Sequence, residues 1–144
     1  MIVVDVNIIL AGLRSSLGAS HVVLRAMLNG QLSFAMSPAV ALEYEDVLKR
    51  TGILGQHSPI TSDDVDTVLN ALLQEARLVS PRFRYRPVLG DPKDELYIEC
   101  ALAAGAKRIV TNDKHFHHPA LRSFGIAACP AAEVAAELRR RNLR

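Results

Sequence analysis

Four acidic side chains differ from the chain's other carboxylates in their surroundings. Asp5, Glu43, Asp94 and Asp113 each lie in or beside an apolar run. A lone carboxylate is costly to bury unless it is paired or bound to a cation, so four in one short chain imply a shared electronegative pocket. Asp5 stands in Val4-Asp5-Val6-Asn7, with Asn7 placed to hydrogen-bond the same ligand. On a helical wheel Glu43 shares a stripe with Ala39, Val40 and Val47, and so faces inward. Glu45 and Asp46 instead have Lys49 and Arg50 four residues on, which marks exposed pairs. Asp94 shares its stripe with Ile98, Ala101 and Leu102, while Glu95 and Glu99 fall to the side and are expected in solvent. Asp113 directly follows Ile109-Val110-Thr111, where Thr111 offers a hydroxyl. Each position also has a purely structural account. Asp5 and Asn7 can cap a following helix, Asp94 can complement a helix dipole, and Asn112-Asp113 can form a turn. Taken together, the four favour the pocket.

Hard divalent cations take oxygen ligands, and Mg²⁺ keeps several waters while using one or two carboxylates and substrate phosphate oxygens. A set of Asp and Glu therefore points to Mg²⁺ or Mn²⁺ rather than Zn²⁺, and to phosphate-ester chemistry. Unmetallated, such carboxylates repel one another and take up protons more readily, so cation binding should stabilise the fold. His115, His117 and His118 match no strong zinc spacing and read as a surface loop. Cys100 and Cys129 are too few for a disulfide framework and are expected to be reduced thiols in a cytoplasmic protein. Arg82, Arg84 and Arg86 alternate with Phe83 and Tyr85; if extended, the arginines share one side, where they can meet RNA phosphates while the aromatics stack on bases. A polar strand edge accounts for them equally well. The terminal Arg139, Arg140, Arg141 and Arg144 fit a solvated helix end.

The elements that must position these groups alternate. Ile2 to Leu10 reads as one strand buried on both faces, as in a parallel sheet. Ala19 to Asn29 is helical and closed by Gly30; Leu32 to Met36 is a second strand. Ser37-Pro38 is a cap followed by proline, opening a helix through Lys49, with a loop marked by Gly52 and Gly55. Thr61 or Ser62 caps a further helix, Leu78-Val79 is a short strand, and Pro81 to Pro87 is irregular or extended. Asp91-Pro92 repeats the cap-plus-proline signal for a helix to Ala104, with Gly105 at its end. Arg108 to Thr111 and Gly125 to Ala128 are strands, and Ala131 to Arg141 is a last helix. Tyr44 and Tyr97 fall on helices as packing residues.

Strands alternating with helices predict a three-layer α/β/α sandwich around a mostly parallel sheet of about five strands, with residues 1–144 as a single domain. The 144 residues are enough to bury a full core, and the balance of 49% apolar to 22% charged is that of an ordinary globular chain. No apolar stretch approaches the roughly 20 residues that span a bilayer, and the start lacks the basic lead of a signal peptide. The formal net charge of +2 is too small to establish nucleic-acid binding by itself.

The pieces VVDVNIIL, ALEYEDVLKR, DPKDELYIECALAAGAKRIVTND and the following KHF resemble, in order and over nearly the whole chain, the PIN-domain ribonucleases. The likeness is greatest to the VapC-like toxins of toxin–antitoxin pairs. Each motif is short and weak alone; their ordered combination is fairly specific. The resemblance implies a magnesium-dependent endoribonuclease whose metal-site acids map to Asp5, Glu43, Asp94 and Asp113, with Asn7 and Thr111 in support. Either Asp91 or Asp94 can align with the third acid, and the inward stripe selects Asp94. The resemblance also implies a homodimer held inactive by a small antitoxin. On this account Asp5, Asp94 and Asp113 ligate the cation, and Glu43 either holds a second ion or orients the attacking water. Two alternatives compete. A phosphohydrolase with an aspartyl nucleophile typically has a second acid two residues on, where this chain has Asn7. A non-catalytic RNA-binding or interaction module leaves the inward Glu43 and Asp94 unexplained.

Overall fold

The apolar N-terminal run is not one strand. In the computed structural model, which describes residues 1–50, 53, 59–81, 92–116 and 119–142, strand β1 covers only Ile2–Val4 and helix α1 follows at once as Val6–Arg14. The expected strand from Ile2 to Leu10 is thereby corrected. The chain turns at Asp5, whose side chain accepts from the Asn7 N–H at 3.2 Å and caps α1. Apolar periodicity cannot separate strand from helix when both are enclosed, and Val6, Ile8, Ile9 and Leu10 are buried like the strand before them.

Helix α2 (Ala19–Leu28) packs on α1 and leads back to β2 (Ala35–Met36). Ser37 caps α3 (Pro38–Leu48), its hydroxyl accepting from the Val40 N–H at 3.2 Å, with Pro38 opening the helix as the sequence indicates. Helix α4 (Ser62–Glu75) opens with a reciprocal capping box between Thr61 and Asp64 and runs into β3 (Arg77–Leu78). Helix α5 (Pro92–Ala104) returns the chain to β4 (Arg108–Val110). A 3-10 turn at Lys114–Phe116 and helix α6 (Ala120–Ser123) come before β5 (Ala127–Cys129), and α7 (Ala131–Asn142) follows. The 3-10 turn and α6 have no sequence signal, since a single turn is too short to show a period. The strands β3 and β5 fall at Arg77–Leu78 and Ala127–Cys129 rather than at Leu78–Val79 and Gly125–Ala128. The loop at Gly52 and Gly55, the cap at Asp91, the arginines Arg82, Arg84 and Arg86, and His117, His118 and Arg144 lie outside the described residues.

Among the described residues all the strand pairings are parallel. The strands β1, β4 and β5 form one ladder in that order, with Val4 opposite Val110 and Val110 opposite Cys129. The strands β2 and β3 form a separate pair, brought beside β1 by a bridge between Ile2 and Phe34. The expected sheet is thus a three-stranded ladder and a pair, not one continuous ladder of five. From β1 the chain moves to one side for β2 and later to the other for β4. Connections of the usual right hand would put α1 and α2 on one face and α5 on the other, in keeping with an α/β sandwich. Helix α5 lies against β1, β2, β4 and α3.

This enclosure of α5 overturns one expectation. Glu95 and Glu99 are not solvated: they are 1% and 8% exposed. With the sheet on one side and α3 on another, positions beside the inward stripe are covered as well. Gly105 ends α5 at φ 67°, where the Ala106 N–H reaches the Ala101 carbonyl at 2.8 Å and the chain can start β4. Cys100 and Cys129 are buried and unbridged, and burial pushes the Cys100 thiol up to about 11. Among the described residues no single helix is long and apolar enough to cross a membrane.

Candidate functional site

Because Val4 and Val110 are partners in the ladder, the residues that follow them, Asp5 and Thr111, emerge side by side at its carboxyl edge. This is also where the strand order reverses, the position at which open parallel sheets offer their ligand sites. The Asp5 N–H donates to the Val110 carbonyl at 2.9 Å, and the Thr111 N–H to the Cys129 carbonyl at 2.8 Å. The Thr111 hydroxyl donates to Asp5 Oδ2 at 2.7 Å and accepts from the Asp113 N–H at 3.0 Å. One hydroxyl therefore links the acid after β1 to the acid after β4. Asn112 Oδ1 accepts from the Ala131 N–H at 3.2 Å, so Asn112 ties the turn to α7.

Helices α3 and α5 supply the other two acids. Asp5, Asn7, Glu43 and Asp94 line one cavity of about 210 Å³, with Arg50 and Tyr97 among its other walls. Glu43 and Asp94 are half-buried and Asn7 is exposed. Glu43 and Asp94, read from the sequence as inward, thus line the same cavity as Asp5. Asp113 is not part of this lining; it joins through Thr111, half-buried, and its charge acts on Asp5. Asp5 itself is 3% exposed. Burial raises its pKa and the Asp113 charge adds to the rise, while the Thr111 hydroxyl and the Asn7 N–H work against it. Arg14 donates to the Ile53 carbonyl, fastening the end of α1 to another residue of the cavity wall.

Two tyrosines do more than the packing expected of them. The Tyr44 hydroxyl donates to the Val4 carbonyl, and the Tyr97 hydroxyl accepts from the Val6 N–H at 3.1 Å. Helices α3 and α5 thus fasten β1 and α1 on either side of Asp5. Tyr97 also stacks edge-on against Phe116, with ring centroids 6.0 Å apart. Burial first, then the Asp5, Glu43 and Asp94 charges, raises the Tyr97 pKa well above the ordinary tyrosine value. The one sequence signal was a phenol on each helix, next to Glu43 in one and three residues after Asp94 in the other.

The donor set is all oxygen, which suits a hard cation. Among the described residues no three Asp, Glu, His or Cys side chains converge closely enough to ligate one ion directly. That spacing suits an ion that keeps most of its waters, takes one or two carboxylates directly and meets the others through water. His21 Nδ1 is engaged by the Gly12 carbonyl at 2.9 Å, a contact between α1 and α2 away from the acids.

A family model described as PIN domain matches residues 1–115, which includes all four acids and Thr111. No curated protein matches the chain, and no solved structure does.

Proposed function

The chain belongs to the PIN-domain family, and from that membership we propose that it is a Mg²⁺- or Mn²⁺-dependent endoribonuclease that hydrolyses RNA phosphodiester bonds. PIN domains are generally metal-dependent nucleases, which supports hydrolysis at the coarser level. The observation that carries the finer reading is the meeting of Asp5, Glu43 and Asp94 on one cavity of about 210 Å³ at the carboxyl edge of β1, with Asp113 tied to Asp5 through Thr111.

In this reading Asp5, Asp94 and Asp113 hold the cation, which when bound supplies polarisation of the scissile phosphate and activation of water. Glu43, on the opposite helix, orients the attacking water or holds a second ion. The Thr111 hydroxyl donates to the Asp5 carboxylate and accepts from the Asp113 N–H, so it orients the first acid and anchors the backbone of the second. Asn7, exposed at the rim, is available to a substrate phosphate or ribose oxygen. Arg82, Arg84 and Arg86 are proposed RNA contacts on the strength of the sequence alone. The VapC-like motif order further supports the toxin of a type II toxin–antitoxin pair, cytoplasmic and homodimeric, restrained by a small antitoxin.

The test is incubation of purified protein with total RNA, with and without Mn²⁺, beside an Asp5→Asn control. Cleavage that needs Mn²⁺, stops with EDTA and disappears in the variant is the expected result. Cleavage that survives EDTA, or an Asp5→Asn variant as active as the parent, overturns the proposal.

A further inference from the structure

Tyr97, 3% exposed, lines the acidic cavity beside Asp5, Glu43 and Asp94. Its hydroxyl accepts from the Val6 N–H at 3.1 Å, and that hydroxyl's own hydrogen has no acceptor among the described residues. Tyr44 makes the contrast: it lies on the other side of the same strand end, and its hydroxyl donates to the Val4 carbonyl. Enclosed hydroxyl groups nearly always find an acceptor, because leaving the donor without one is costly. A phenylalanine would fill the space of Tyr97 but leave the buried Val6 N–H without its acceptor. The phenol thus serves the Val6 N–H with its oxygen, and its hydrogen is left for an acceptor that enters the cavity.

The acceptor's chemistry follows from the neighbours. Asp5, Glu43 and Asp94 share the wall; burial first, then their charges, raises the phenol's pKa, so it stays a protonated donor at neutral pH. A cationic side chain in that place would pair with those carboxylates, whereas a neutral O–H remains available to a ligand. The geometry points to Tyr97 as a substrate-contacting residue: its O–H, held in place by the Val6 N–H, donates to a non-bridging oxygen of the phosphodiester that the cavity receives. This rests on the nuclease proposal for the substrate, and on the cavity for the contact. As negative charge on the phosphate oxygens grows during cleavage the bond strengthens, so the residue acts on turnover as well as on binding.

Three quantities test it on the full chain: Mn²⁺ affinity, orthophosphate affinity of the Mn²⁺-loaded protein, and kcat and KM on RNA. Tyr97→Phe should leave Mn²⁺ affinity within about twofold while weakening orthophosphate binding and kcat/KM by about tenfold or more, the scale of one hydrogen bond to a charged acceptor. Tyr44→Phe, which loses a buried hydroxyl outside the cavity lining, should lower the melting temperature without the selective loss of orthophosphate affinity seen in Tyr97→Phe. Wild-type phosphate affinity and turnover in Tyr97→Phe overturn the assignment, as does a loss of Mn²⁺ affinity that accounts for the lost activity. If Tyr97→Phe does not fold, fluorinated tyrosine at position 97 keeps ring and hydroxyl while strengthening the donor; unchanged phosphate affinity then overturns the assignment. A parent protein that cuts no RNA, yet whose Mn²⁺-dependent phosphate binding needs the Tyr97 hydroxyl, sinks the ribonuclease proposal and leaves this contact standing.

Discussion

Thr111 is the smallest group in the site with two jobs, giving its hydrogen to Asp5 and its lone pair to the Asp113 N–H. Replacing it with valine keeps the shape and removes both bonds at once. Loss of such a supporting partner typically weakens a metal site ~10–100-fold. Thr111→Val should therefore raise the Mn²⁺ concentration for half-maximal cleavage by at least about tenfold, with kcat at saturating Mn²⁺ much less changed. An unchanged Mn²⁺ requirement would show the Thr111 bonds to be incidental. Asp5→Asn should behave differently: it removes the charge itself and should lower cleavage by roughly a hundredfold or more at any Mn²⁺ concentration. At this scale the sequence was informative about type and poor about partners. Asp5, Glu43 and Asp94 stood out because acids in apolar company are rare. The Tyr97 hydroxyl did not, because its partner Val6 is 91 positions away and only the folded chain brings them together.

Whole elements were legible where local chemistry marks their ends. Ser37-Pro38 and Gly105 carry their signals within two or three residues, and α3 and α5 stop and start where those signals stand. The boundary between β1 and α1 was hidden for the opposite reason. Residues on both sides are apolar and enclosed, and Asp5 is at once a helix cap and a site residue. Burial around α5 was hidden too, since a wheel shows which side faces the core but not that α3 covers a second side. Gly105 gives the element-scale prediction. Its φ of 67° is left-handed, and a Cβ built there meets nothing within 4 Å, so Gly105→Ala costs backbone strain without a clash. The expected loss is about 1 kcal/mol in a urea melt, with the slope of the transition unchanged. A loss several times larger would mean that α5 and β4 had shifted, and cleavage would fall with it.

For the molecule as a whole, the acidic cavity is a place where stability is given up locally and a cation can restore it. Asp5 has a folded pKa raised above the ordinary 3.8, chiefly by burial. A raised acid pKa means the protonated side chain suits the fold better than the charged one. Its contribution is fully present below pH 3.8 and is lost as the pH rises through the raised folded value. Above that window the folded chain carries a buried carboxylate beside Asp113, with Glu43 and Asp94 across the cavity. A divalent cation pairs with those charges only once they are ionised, so metal binding and proton loss are linked. At pH 7.5, Mn²⁺ at a hundred times its dissociation constant should stabilise the fold by about 2.7 kcal/mol, a rise of roughly 5–10 °C in melting temperature over EDTA-treated protein. At pH 4 and the same Mn²⁺ concentration the rise should be clearly smaller, because burial favours a proton on Asp5 and that proton competes with the cation. Asp5→Asn should remove most of the shift at pH 7.5. Equal shifts at both pH values would mean that Mn²⁺ binds elsewhere on the chain, and no shift at either would mean that the four acids do not act together.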